Sequence, residues 1–319
     1  MTHLLDLQLE AGLRGDFEKG WEIAQLLPQD DPRAMFNRGW YLLRQGKLQE
    51  GHRLLDTGRF LNVFGNRHIG SDKPIWDGKT PGIVLLNLEG GLGDQIHGVR
   101  FARNIRDRGC LVVVSCSREL IPILRDVEGV SAIVSHEDAL KAVHTFWLPS
   151  MSAVVALELE YGDLDGKSYL PRIAENEGKT GLRWSGNPQF EHEQHRLFPS
   201  NLLFNAVRRM DCISLQRDEG SELRPAWVKA VPLDSWEDTQ RAVSVCGLVV
   251  TSCTSVAHLA AAMGVETWIV TPILPYYLWA LPGDRTPYYD SVRLFRQDRY
   301  GNWSAPFNAV ANRLVARAA

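Results

Sequence analysis

Three side-chain hydroxyls stand at the start of a helical apolar pattern in Thr251-Ser-Cys-Thr-Ser-Val-Ala-His-Leu-Ala-Ala-Ala-Met-Gly264, directly behind the short β-branched run Cys246-Gly-Leu-Val-Val-Thr251. A buried strand of a parallel sheet leads straight into a helix. Ser252, Thr254 and Ser255 are placed to cap that helix, which carries Val256, Leu259, Ala260 and Met263 at helical spacing and stops at Gly264. Unpaired amides, hydroxyls and the positive end of the helix dipole together favour an anion such as a diphosphate. The plainer alternative is that Thr254 or Ser255 only caps the helix.

A second candidate is Glu89-Gly-Gly-Leu-Gly-Asp94, which follows the apolar run Ile83-Val-Leu-Leu-Asn-Leu88. Ligands of open α/β sheets bind at that edge of the strands, and Gly90, Gly91 and Gly93 let a ligand approach the backbone. Asp94, in the first turn of the next helix, is either a general base or simply a helix-terminal acid. The spacing is not the dinucleotide fingerprint, and no acid follows the second strand. The cluster Glu191-His-Glu-Gln-His-Arg196 belongs to a polar loop beginning at Phe190, with His residues interleaved with acids, no HExxH and no distant ligand. No metal site is expected there.

These residues need a scaffold. Apolar runs and helical patterns alternate: Ile83–Leu88 strand, Gln95–Arg108 helix, Leu111–Ser115 strand, Arg118–Val127 helix and Ser131–Val134 strand. A second set begins at Thr180–Trp184 and continues through Cys212–Leu215, Leu248–Thr251 and Thr267–Val270, with a closing helix near Ser304–Arg317 that could cross back to the first domain. The expected class is α/β, with two Rossmann-like doubly wound parallel sheets, a break near Tyr169–Lys179 and a ligand cleft between the domains. Ahead of them, Gly15-Asp-Phe-Glu-Lys-Gly20 and Gly46-Lys-Leu-Gln-Glu-Gly51 are one pattern repeated, each flanked by amphipathic stretches. Two helical hairpins follow, either packing on the next domain or recognising an acceptor or a protein partner. The expected domains are 1–66, 67–172 and 173–319.

The chain's 319 residues, 45% hydrophobic and 23% charged, suit a soluble protein of two or three domains. Its start is amphipathic and broken by acids, so neither a signal peptide nor a membrane span is expected. Five cysteines without CxxC spacing point to a reduced, cytoplasmic setting. A net charge of -3 argues against a broadly basic surface for nucleic acid.

Pro74-Ile-Trp-Asp-Gly78, the Glu89–Asp94 turn, Gly181-Leu-Arg-Trp-Ser-Gly-Asn-Pro188, Ile213-Ser-Leu-Gln216, the Thr254–Gly264 segment and Ser291-Val-Arg-Leu-Phe-Arg-Gln297 occur in that order behind the helical hairpins. Together they make the chain resemble bacterial tetratricopeptide glycosyltransferases related to the heptosyltransferases, over almost its whole length. The resemblance implies a GT-B glycosyltransferase with an acceptor side in the first α/β domain, formed by Glu89, Gly90, Gly91, Gly93 and Gln95, and a nucleotide-sugar side in the second. It implies Asp94 as the base on the acceptor hydroxyl. Ser252, Cys253, Thr254, Ser255 and His258 would hold the donor diphosphate in place of a metal, and Trp184, Ser185, Gly186, Asn187, Gln216 and Arg196 would contact the donor. Arg183, His195 and Arg196 are the candidate cations for the leaving group. On a helix between Ala257 and Leu259, capping or packing is the alternative role of His258.

Two positions depart from the pattern. Cys253 stands where relatives commonly have an Asp, and His195-Arg-Leu-Phe-Pro199 replaces an Arg/Ser-rich run. The phosphate half of the site is therefore kept while the sugar half has changed. No cofactor is expected beyond the nucleotide sugar as co-substrate, with a saccharide or protein acceptor. The competing readings are a transferase acting on nucleic acid, which needs a local basic groove, and a catalytically silent scaffold.

Overall fold

A computed structural model describes residues 2–65, 69–188, 193–218 and 220–318. Its helices are α1 (Thr2–Leu13), α2 (Phe17–Leu26), α3 (Pro32–Arg44), α4 (Leu48–Leu55), α5 (Leu92–Gly98), α6 (Phe101–Arg106), α7 (Ile121–Leu124), α8 (Ala153–Ala156), α9 (Glu193–Arg196), α10 (Ser200–Ala206), α11 (Trp236–Ser244), α12 (Ser255–Ala262) and α13 (Ser304–Ala318). Its strands are β1 (Ile83–Asn87), β2 (Leu111–Cys116), β3 (Ala132–Ser135), β4 (Phe146–Pro149), β5 (Lys179–Arg183), β6 (Cys212–Ser214), β7 (Cys246–Ser252), β8 (Thr267–Thr271) and β9 (Val292–Arg296).

The contacts divide the chain into two units. One comprises Met1–Leu5 and Trp21–Asp165, the other Asp6–Gly20 and Gly166–Ala319. The division differs from the expected 1–66, 67–172 and 173–319, whose first boundary falls on residues 66 and 67, outside the described residues. The helical segment forms no unit of its own because its parts pack on different partners. An added Cβ on Gly12 would lie 2.9 Å from the Leu274 side chain, and one on Gly15 would lie 3.2 Å from Ile273, both in the second unit. In the first unit α3 and α4 meet so closely that a Cβ on Gly39 would stand 2.8 Å from the Gly51 carbonyl and 2.9 Å from the Leu55 amide. Buried Arg38 finishes α2 by donating to the carbonyls of Ala24, Leu27, Pro28 and Gln29 at 3.0–3.2 Å.

The first unit holds a four-stranded parallel sheet in the order β3-β2-β1-β4. Ile75 adds a parallel bridge to Trp147 outside β4, which places the Pro74–Gly78 motif on that edge. Strand order reverses at β1: β2 and β3 run outward on one side and β4 lies on the other. The second unit holds a five-stranded parallel sheet in the order β6-β5-β7-β8-β9, with its reversal at β5, between β6 and β7. Such reversals open a crevice beyond the carboxyl ends of the strands. Glu89–Asp94 follows β1, Trp184–Pro188 follows β5 and Cys253–Ser255 follows β7, so these three motifs stand at the two reversals.

Near-continuous apolar strands need cover on both faces. In the second unit Leu182, Val250, Trp268, Val270 and Phe295 meet Phe204 of α10 and Phe307, Val310 and Leu314 of α13. The closing helix thus belongs to the core of the second unit.

The expected Gln95–Arg108 helix is two helices, α5 and α6, separated at Val99 and Arg100. The Arg118–Val127 helix is a 3-10 turn followed by the single turn α7, whose Pro122 lies in the first turn. Among the described residues no helix is long and apolar enough to cross a membrane.

Candidate functional site

In the second unit, β7 delivers the chain through Cys253 to Thr254, the N-cap of α12, in extended conformation (φ -137, ψ 174). The Thr254 hydroxyl makes no capping bond to its own helix and lies 3.4 Å from the Thr251 hydroxyl. The simple N-cap reading is thus not the geometry found; the Ala257 amide donates to the Thr254 carbonyl at 3.0 Å, and the Ser255 and Val256 amides ahead of it have no intrahelical acceptor. Ser255 is half-buried at the first helical position. Ser252, 2% exposed at the end of β7, has a buried hydroxyl with no hydrogen-bond partner among the described residues.

Arg196 brings the positive charge to this point. Its Nη1 donates to the Cys253 carbonyl at 2.6 Å, while its Nε pairs with Glu193. The other Glu193 oxygen accepts from the Gly186 amide at 2.9 Å, so Glu193 couples the turn after β5 to the cation beside α12. Gly186 must be glycine for this arrangement, because a Cβ would lie 2.9 Å from Glu193 Oε2 and closer still to the Arg196 guanidinium.

The other candidate cations are engaged elsewhere. Arg183, 4% exposed, shares its Nη2 between both Asp218 carboxylate oxygens at 3.0 Å each, and burial lowers its pKa below the usual arginine value. The His195 ring packs 5.7 Å from Tyr300. Phe190 of the polar loop and residues 191 and 192 of the His/Arg cluster lie outside the described residues. Among those described, no group of three or more His, Cys, Asp or Glu side chains is placed to hold a metal ion.

The remaining donor-side candidates form the frame. Trp184 is a core residue, 1% exposed, with its ring 5.0 Å from Phe204 and its indole N–H donating to the Gly220 carbonyl at 2.8 Å. Gln216 accepts from the Trp184 and Ser185 amides at 3.1 Å each. Its amide nitrogen donates to the Ser185 hydroxyl at 2.8 Å and to Asp218 at 2.9 Å. Gln216 therefore staples the turn rather than projecting from it. Asn187 is exposed beyond it.

His258, four residues past the N-cap, is not brought to the helix start. Its ring stacks on Trp279 at 5.4 Å and its Nδ1 lies 3.2 Å from the Tyr289 hydroxyl, within the core. Trp279 also donates its indole N–H to the Cys253 sulfur at 2.9 Å. Cys253, 6% exposed, is thereby held against the aromatic cluster, with only its carbonyl turned to Arg196.

In the first unit, Gly90 (φ 74) turns the chain in the left-handed region, where a Cβ would meet the Asp94 carboxylate at 2.7 Å. Asp94 is half-buried in the first turn of α5, and its Oδ2 accepts from the Gly91 amide at 2.9 Å. It thus caps its own helix, and the same bond fixes its carboxylate on the Gly-rich turn. Gly93 lies in the first turn of α5. Buried Gln95 donates to the Gly90 carbonyl at 3.3 Å and to the Ser117 hydroxyl at 2.9 Å, and accepts from the Ser117 amide, tying the turn to the end of β2. Glu89 does not face out: its side chain is 1% exposed and ion-paired with Arg59.

Arg59 and Trp279 went unread in the sequence, and Glu193 was read only as one of the acids of a polar loop. A buried acid such as Glu89, directly after an apolar strand, signals that a cation must exist, but not which one.

No family model matches the sequence, and no curated protein matches it. Solved structures share the fold. The iron-containing dodecameric glycosyltransferase TibC of enterotoxigenic E. coli superposes with a TM-score of 0.51 at 9% identity, covering 76% of this chain and 78% of that one. E. coli heptosyltransferase WaaC with ADP gives a TM-score of 0.51 at 13% identity over 74% of this chain and all of that one. A glycosyl transferase family 9 protein from Veillonella parvula gives 0.50 at 9% identity over 77% and 98%. At these identities the likeness is one of fold.

Proposed function

We propose that the protein is an inverting, metal-independent glycosyltransferase that moves a hexose or heptose from a nucleoside-diphosphate sugar to a hydroxyl of a saccharide or protein. The observation that carries this reading is Arg196 bonded to the Cys253 carbonyl immediately before the start of α12, at the strand-order reversal of a sheet whose fold is shared with glycosyltransferases. A guanidinium beside a helix N-terminus suits a diphosphate. Here the cation supplies the charge that a divalent metal supplies elsewhere, which is the basis for expecting no metal.

The chemistry follows from these groups. The acceptor oxygen attacks the anomeric carbon as the bond from that carbon to the diphosphate oxygen breaks, and the electron pair leaves with the diphosphate. The α12 amides, the Thr254 and Ser255 hydroxyls and Arg196 stabilise the departing charge. Asp94 takes the acceptor proton. A single displacement inverts the anomeric centre. The tetratricopeptide-like reading of α1–α4 and a protein partner for them belong to the same proposal, as does a cytoplasmic setting, which five free and buried cysteines support.

The test is Asp94→Asn with donor binding measured alongside turnover. Binding within twofold of wild type and turnover lower by roughly 10²- to 10⁴-fold are expected for loss of a general base. Unchanged turnover removes Asp94 from the mechanism.

A further inference from the structure

Glu89 opens the Gly-rich turn, and its burial demands a partner. Arg59, in the 3-10 turn Asp56–Leu61 after α4, supplies it with a two-pronged contact: Nη1 to Oε1 at 2.5 Å and Nη2 to Oε2 at 3.0 Å. The same guanidinium reaches the Ser152 hydroxyl at 2.7 Å through Nη2 and Asp56 at 3.2 Å through Nε. Ser152 in turn donates to Asp56 at 2.7 Å. Glu89 is also held from the β4 side, accepting from the Met151 amide at 3.3 Å and donating its own amide to the Ser150 hydroxyl at 3.1 Å. One cation thus joins the carboxyl ends of β1 and β4, the two strands that flank the reversal. Gly65 (φ 63) leaves room for it, since a Cβ there would lie 2.8 Å from Glu89 Oε1 and nearer still to the guanidinium.

We propose that Arg59 is a positioning residue for the turn that carries Asp94, so that the helical segment acts as one wall of the catalytic turn. The role in catalysis rests on the proposed glycosyl transfer; the role in ordering the turn does not. The turn is short. Glu89 anchors its start, Gly90 adopts a left-handed conformation, and the next amide, Gly91, is the one that fixes the Asp94 carboxylate. Only one residue separates the Arg59-bound acid from that amide, so movement of Glu89 passes directly to Asp94. A buried ion pair adds little net stability over an apolar pair of similar volume. What it adds here is direction, because a planar guanidinium forked onto a carboxylate permits one orientation.

The experiment compares wild type, Arg59→Lys, Arg59→Met and the double variant Arg59→Met/Glu89→Met. Melting temperature, hydrogen exchange at the Gly91 amide and steady-state kinetics are read on each. Positioning predicts that the double variant regains most of the melting temperature lost by Arg59→Met. Its Gly91 exchange nevertheless stays roughly tenfold or more faster than wild type, with the β1 and β2 amides unchanged. Its kcat stays on the order of 10- to 100-fold low, while the donor KM remains within about twofold. Recovery of Gly91 protection together with melting temperature overturns the proposal and leaves Arg59 a packing residue. If Arg59→Met does not fold, Arg59→Lys carries the test, since an ammonium keeps the charge but not the fork. Faster Gly91 exchange in a protein that transfers no sugar separates failure of the enzyme reading from failure of this one.

Discussion

Gly186→Ala separates the anion site from the fold more cleanly than removal of a charged residue does. The backbone at Gly186 is not in the left-handed region, so alanine is tolerated conformationally. The new methyl stands 2.9 Å from Glu193 Oε2 and closer to the Arg196 guanidinium, which is the far end of a flexible side chain and moves aside. Such crowding costs about 1–2 kcal/mol of stability. If Arg196 gives the diphosphate one charge-assisted hydrogen bond, displacing it forfeits about 1.5–3 kcal/mol of binding. At 1.4 kcal/mol per decade the dissociation constant rises roughly 10- to 150-fold. Titration calorimetry with a nucleoside diphosphate, at a temperature where both proteins are folded, measures this. Arg196→Ala should lose a similar amount, and the double variant little more, because both act through one group. Affinity within twofold of wild type for Gly186→Ala would refute the assignment of Arg196 to the diphosphate.

Other outcomes follow from the same geometry. Gly39→Ala forces a Cβ against the Gly51 carbonyl and the Leu55 amide and should cost about 1–3 kcal/mol in denaturant unfolding, because backbone cannot step aside as a side chain does. His52 is buried, donates Nδ1–H to the Met151 carbonyl and has its pKa lowered by burial from 6.5 to about 4. Between those values the unfolded chain takes up a proton that the native one refuses, so stability should fall by up to roughly 3 kcal/mol as pH drops through that window. His52→Gln should flatten the slope. Burial pushes the thiols of Cys116, Cys212 and Cys246 up to about 12, so a thiol reagent at pH 8 should leave them unmodified until denaturant is added. Trp279→Phe removes the donor to the Cys253 sulfur and should lower the melting temperature without changing nucleotide affinity more than about threefold.

The strands that bear the motifs were legible because buried parallel strands read as unbroken apolar runs, as in Ile83–Leu88 and Leu248–Thr251. Two strands hid. β4 has only three apolar residues, Phe146, Trp147 and Leu148, before Pro149, and β9 alternates Val292, Leu294 and Phe295 with Arg293 and Arg296, so the first run is too short to stand out and the second is broken. Side-chain roles were less legible than positions. Gln216 and Trp184 sit where the motifs put them, yet one staples a turn and the other fills the core, because those choices depend on neighbours such as Phe204 and Gly220. His258 was ambiguous on its helix, and only the ring of Trp279, 21 residues away, decides where it points. Arg59 reaches Glu89 across 30 residues, a pairing that no local pattern encodes.

The most direct measurement is calorimetric titration of the protein with ADP, UDP, GDP and CDP in excess EDTA. Micromolar or tighter binding of at least one, about -8 kcal/mol, is expected without a divalent metal. No binding by any of the four, or binding that appears only when a divalent metal is restored, would contradict it.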